Sequence, residues 1–217
     1  MKTKRNFLFT GFLFFLFLIF TILVKHADVQ PIGPNGFFVG LASINGFFRN
    51  IIGENIFWYN FTELLGFAAI FIAAGFAFLG FFQLLNRKSF FKVDAEIYLL
   101  GMLYIAVAAV YCFFEINIIN YRPVLINGEL EASYPSSHIM MVCTIIGSAM
   151  IQFRNRITNR NLLFIANTVS SMIILLTVIG RTLSGVHWFS DIIGSLLLSG
   201  ALLMLYYSCV SLLNRRK

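Results

Sequence analysis

Residues 180–213 read GRTLSGVHWFSDIIGSLLLSGALLMLYYSCVSLL. From Trp188 to about Leu213 the side chains are apolar or small and no proline interrupts them. A bilayer core needs about 20 such residues, and a continuous helix satisfies its own backbone groups in lipid. Yet the stretch opens on Arg181, His187 and Asp191. Ionisable groups at the edge of a span are expensive to keep and mark function by default. The segment reads as a membrane-crossing helix with chemistry at one end.

The whole chain has the same character. Of its 217 residues 59% are hydrophobic and 12% charged, against about 45–50% and about 25% in soluble domains. A soluble enzyme, a disordered chain and a disulfide scaffold are excluded. Six apolar segments, 6–24, 64–85, 97–114, 137–153, 162–180 and 188–213, predict an all-α polytopic membrane protein of one domain spanning 1–217. The first resembles a signal peptide but lacks a small-residue cleavage site, so it reads as a retained span. The fourth, with 17 residues, is at the short limit.

Of the 16 basic residues, 12 fall in the two termini and in the second and fourth connections, while Lys25, Arg49, Arg122 and Arg181 fall on the other side. Cytoplasmic loops collect Lys and Arg, so both termini should be cytoplasmic and the first, third and fifth connections outside. A bacterial plasma membrane with the site on its outer face is the expectation. The formal charge of +7 is then a topology signal, and no nucleic-acid partner is implied. Cys112, Cys143 and Cys209 sit in apolar stretches and read as small core residues.

The first outer connection, 25–63, opens with turns at Pro31–Gly36 and places Phe37, Leu41, Ile44, Phe48 and Ile51 on one helical face. This predicts a helix lying in the outer interface or packed on the bundle. Trp58 and Tyr59 read as an interfacial anchor.

Three short pieces concentrate the rare residues: Tyr121-Arg122-Pro123, Tyr134-Pro135-Ser136-Ser137-His138, and Arg181-x5-His187-x3-Asp191. Four apart on a helix, Asp191 could accept a hydrogen bond from one ring nitrogen of His187 and leave the other as nucleophile or base. Pro135 suits a first helical turn, which would leave the amides of Ser136, Ser137 and His138 as donors to an anion. His138 could protonate a leaving oxygen. Arg122 and Arg181 offer planar forks for a phosphoryl group. Taken singly, Pro-Ser-Ser is also an ordinary helix cap and each arginine a loop residue on lipid headgroups. Together the pieces supply what phosphoryl transfer needs, with no metal-ligand spacing and no cofactor implied.

On these residues the chain resembles the type 2 phosphatidic acid phosphatase superfamily of membrane lipid phosphatases, whose pattern is Lys-x6-Arg-Pro, Pro-Ser-Gly-His and Ser-Arg-x5-His-x3-Asp. The resemblance implies that His187 forms a phosphohistidine, Asp191 orients it and His138 protonates the leaving group. It also implies that Arg122, Arg181 and Ser136, with the adjacent Ser137, hold the phosphate of a lipid phosphate or pyrophosphate. Three positions depart: Glu115 stands where the family has Lys, Ser137 where it has Gly, and Gly180 where it has Ser. Glu115 reverses a charge beside the phosphate site and is a candidate modulator. A lipid phosphotransferase, or a non-catalytic protein that binds or moves a lipid phosphate, are the alternatives.

Overall fold

The computed structural model describes residues 2–126 and 128–215. Arg216 and Lys217, two of the basic residues used for orientation, lie outside it. Seven α-helices make up the described chain: α1 (Lys2–His26), α2 (Ala42–Ile52), α3 (Ile56–Arg87), α4 (Ala95–Ile116), α5 (Ser137–Arg156), α6 (Arg160–Ser184) and α7 (Phe189–Leu213). Asn55 caps α3 by accepting the Trp58 amide at 3.3 Å, and Asn159 caps α6 by accepting the Asn161 and Leu162 amides. Each such cap is worth about 1 kcal/mol.

Five helices, α1, α3, α4, α6 and α7, are long and apolar enough to cross a membrane. The expected fourth span is helical too, but α5 is not among those five. Its position explains why. α5 packs against α3, α4, α6 and α7, and its Ile139, Val142, Ile146 and Ala149 are fully buried. A helix surrounded by protein needs no lipid-facing apolar surface, so it carries Thr144, Ser148 and Gln152, all fully buried. Gln152 donates to Tyr206 Oη at 2.5 Å, and Ser148 donates to the Ile145 carbonyl at 2.8 Å.

The helix expected in the first outer connection exists but starts later, at Ala42, and its apolar face is turned away from the bundle, as the interfacial alternative expects. Residues 37–41 precede it, and its buried residues are Ala42 and Asn45. Ile44, Phe47 and Ile51 point outward. The reason lies in α7: Asn45 accepts the Ser190 amide at 3.0 Å and donates to Ser190 Oγ at 2.9 Å, while Phe48 stacks on Phe189 at 3.9 Å. α2 is thus a brace across the start of α7. Its Arg49 also donates to the Gly185 carbonyl at 2.7 Å and fixes the short loop between α6 and α7. Gly185 has φ +67 there, and a Cβ would collide with the Gly53 carbonyl. The loop can be this tight only with glycine.

The third connection folds back on itself through isolated bridges Tyr121–Ala132 and Ile126–Glu129. That fold returns Ser133 and Pro135 to the start of α7.

Candidate active site

Asp191 lies in the first turn of α7 and is fully buried; its Oδ2 accepts the Trp188 amide at 2.8 Å. His187 lies outside the helix, because α7 begins at Phe189. The direct hydrogen bond expected from helical i, i+4 spacing is absent: His187 Nδ1 and Asp191 Oδ2 are 3.6 Å apart. Ser133 stands between them. Its Oγ is 3.2 Å from His187 Nδ1 and donates to Asp191 Oδ2. A hydroxyl has one proton, so Ser133 accepts from Nδ1–H and leaves the Nε2 lone pair free. Burial holds His187 well below the ordinary histidine value, and the positive charges of Arg122 and Arg181 push the same way. The ring is therefore neutral at pH 7.

Ser136 is fully buried, and its amide is directed at the Asp191 carbonyl at 3.4 Å. The expectation that Pro135 opens the helix is corrected: α5 begins at Ser137, and the Ser136 amide is already engaged. The next three amides, of Ser137, His138 and Ile139, have no intrahelical acceptor and sit at the positive end of the helix dipole, while the Met140 amide already bonds the Ser136 carbonyl. Ser137 is half-buried. His138 donates from Nε2 to the Thr62 carbonyl at 2.7 Å and turns Nδ1 toward Glu63, 3.9 Å away. Gly66 gives it room, since a Cβ there would lie 2.5 Å from the ring.

Arg181 is 2% exposed. Its Nη2 pairs with Glu63, and its guanidinium lies 5.1 Å from the centre of the Tyr59 ring. Tyr59 thus supports the arginine, where the sequence suggested an interfacial anchor. Arg122 pairs through Nη2 with Glu131 at 3.2 Å. Glu115 is exposed and makes no ion pair with either arginine among the described residues. It lines a narrow crevice with Ser133, Tyr134 and Ser137 at the rim. The carboxylates that reach the arginines are Glu63 and Glu131.

Nine buried side-chain polar atoms lack a hydrogen-bond partner among the described residues, and five belong to this cluster: Arg122 Nη1, Ser136 Oγ, Arg181 Nε and Nη1, and Asp191 Oδ1. Native proteins leave few such groups unpaired, so their concentration here calls for a ligand. Three are guanidinium N–H groups, which an oxyanion satisfies. A hollow of about 480 Å³ lies beside Tyr59, with Val124, Leu125 and Val186 on an apolar side and Glu54, Asn55 and Ser184 on a polar one. No group of three or more His, Cys, Asp or Glu residues suited to a metal ion occurs among the described residues.

Of the seven residues singled out in the sequence, the fold links His187, Asp191 and Ser136 around Ser133, sets His138 and Arg181 on Glu63, and brings the charge of Arg122 to bear on His187, while Ser137 lines the crevice beside Glu115. The sequence missed Ser133, Glu63 and Glu131. Glu63 had a usable signal, as an acidic residue opening an apolar run. Ser133 had none, since loop serines are common.

Residues 113–215 match the family model of the PAP2 superfamily. No curated protein matches the chain by sequence. Among solved structures, the first transmembrane PAP2-type phosphatidylglycerolphosphate phosphatase from Bacillus subtilis is similar in fold, with a TM-score of 0.58 at 16% identity, covering 92% of this chain and 93% of that one.

Proposed function

We propose, from the match of residues 113–215 to the PAP2-superfamily model, that the chain is a protein of that superfamily and a metal-independent phosphatase of membrane lipid phosphates or pyrophosphates. The carrying observation is the set of unpartnered buried donors on Arg122, Ser136 and Arg181 around a histidine whose Nε2 is free. The donors hold the phosphoryl oxygens and stabilise the charge that spreads over them in transfer. Nε2 attacks phosphorus, the ester P–O bond breaks, and His138 gives a proton to the leaving oxygen from the nitrogen that faces Glu63. Water then attacks the phosphohistidine, His138 takes its proton, the P–N bond breaks and inorganic phosphate leaves. Asp191, acting through Ser133, holds the His187 tautomer throughout. The apolar side of the 480 Å³ hollow suits the lipid part of the substrate.

In this reading residues 1–217 form one domain, α5 is the sixth crossing, and the membrane is a bacterial plasma membrane with the site on its outer face, the facing being supported by the 12 to 4 split of basic residues. The test is phosphate release from polyprenyl pyrophosphates, phosphatidic acid and phosphatidylglycerol phosphate. Activity should survive chelators and be lost in His187→Ala; retention in that variant, or loss to chelators, rejects the reading.

One observation favours a second reading, a non-catalytic binder of lipid phosphates: Glu63 and Glu131 already occupy one face of each arginine. Binding to the same panel without release would select it.

A further inference from the structure

The far end of the bundle holds a second polar feature. α5 packs along both α6 and α7, whereas α6 and α7 touch each other little. The three form a cleft with α5 as its floor, open sideways. Where α5 and α7 end, opposite the His187 site, the cleft widens into a cavity of about 510 Å³. Arg154 and Asn155 of α5, Asn167 of α6, Tyr207 of α7, and Asn214 and Arg215 just past the end of α7 line it.

Three observations point to an anionic ligand with an apolar part. No acidic residue lines the cavity, and Arg154 and Arg215 form no ion pair among the described residues, whereas Arg49, Arg87, Arg122, Arg156 and Arg181 each hold a carboxylate. Asn167 sits two turns inside an apolar helix, with Oδ1 buried and unpartnered. Such an amide is costly to place in a span without a partner. The same Asn167 also borders an open groove of about 440 Å³ along α6, where Phe164, Met172 and Leu175 flank Thr168 and Ser171. Head-end charge and an apolar extension thus meet at one residue.

We propose that this cleft binds an anionic phospholipid. Its headgroup phosphate lies between Arg154 and Arg215, a glycerol or headgroup hydroxyl donates to Asn167, and an acyl chain runs along the α6 groove. Basic pockets between membrane helices recognise headgroups in this way. A free phosphate would satisfy the arginines but leave the groove unused, so the lipid is favoured.

The experiment titrates delipidated protein in detergent with phosphatidylglycerol, phosphatidylcholine or inorganic phosphate and follows Tm. Saturating phosphatidylglycerol should raise Tm by about 5 °C, and the other two should not. The pair Arg154→Gln with Arg215→Gln should abolish the rise, while Lys88→Gln with Arg160→Gln, basic residues outside the cavity, should keep it. Asn167→Leu, which leaves the charge intact, should weaken the rise and so tests the site if the arginine pair does not fold. An undiminished rise in the Arg154 and Arg215 pair or in Asn167→Leu, an equal loss in the control pair, or the same rise with phosphate or phosphatidylcholine overturns the proposal.

Discussion

The Ser133 hydroxyl lies 3.2 Å from His187 Nδ1 and donates to Asp191, so the histidine and its carboxylate are joined through a serine. Removing the hydroxyl leaves a 3.6 Å gap and frees the ring to adopt the wrong tautomer. Ser133→Ala should lower kcat about 10- to 100-fold, or roughly 1.4–2.7 kcal/mol, with KM nearly unchanged because the phosphate ligands are untouched. Ser133→Thr should restore most of it. Steady-state kinetics on the most active lipid of the panel decides; a merely structural serine would lower the amount of folded enzyme and not kcat per folded enzyme.

The pH profile follows from the surroundings of His187. Burial, then Arg122 and Arg181, hold its pKa well below 6.5. A depressed value keeps the nucleophile neutral as pH falls through 6.5, and protonation removes it only below that. The acidic limb of kcat/KM should therefore lie below pH 6.5, since that limb reports the free enzyme. Arg122→Gln, by removing one positive neighbour, should move the limb upward while lowering the rate. The same depression means the unfolded chain binds a proton that the folded one refuses, so thermal stability should fall as pH drops below about 6.5. An acidic limb at or above 6.5 would contradict this.

Glu63 pairs with Arg181 and stands beside His138, so in the proposed reading it competes with phosphate for that arginine. Glu63→Gln removes one negative charge from the site. Inhibition by inorganic phosphate should tighten a few-fold, a modest gain because Glu63 is 44% exposed and solvent screens it. kcat should fall, because the proton carried by His138 loses its anionic neighbour. Product-inhibition constants and kcat, measured side by side, test the two directions separately.

Much of this was legible in the sequence, for physical reasons that can be named. Lipid-facing helices announce themselves by composition, so α1, α3, α4, α6 and α7 were readable to within a few residues except where α3 starts eight residues early, at Ile56. α5 was borderline because burial by protein removes the demand for apolar surface and permits Gln152 and Thr144. His187, Asp191 and Arg181 stood out because charge is rare where they sit. Ser133, Glu131 and Tyr59 did not, since their part depends on a folded-back connection and on the packing of α3 against α6. Helix phase misled at one place: His187 falls one residue outside α7's cap.

The central claim is covalent: His187 Nε2 takes the phosphoryl group from the lipid. The direct measurement is to quench the protein during turnover of its best lipid phosphate in base and map the phosphorylated residue by mass spectrometry. The account predicts an acid-labile, base-stable phosphoryl group on His187, absent from His187→Ala and longer-lived in His138→Ala, where water attack lacks its base. Full phosphate release with no phosphohistidine in the native protein or in His138→Ala, or a phosphoryl group on another residue, would contradict it.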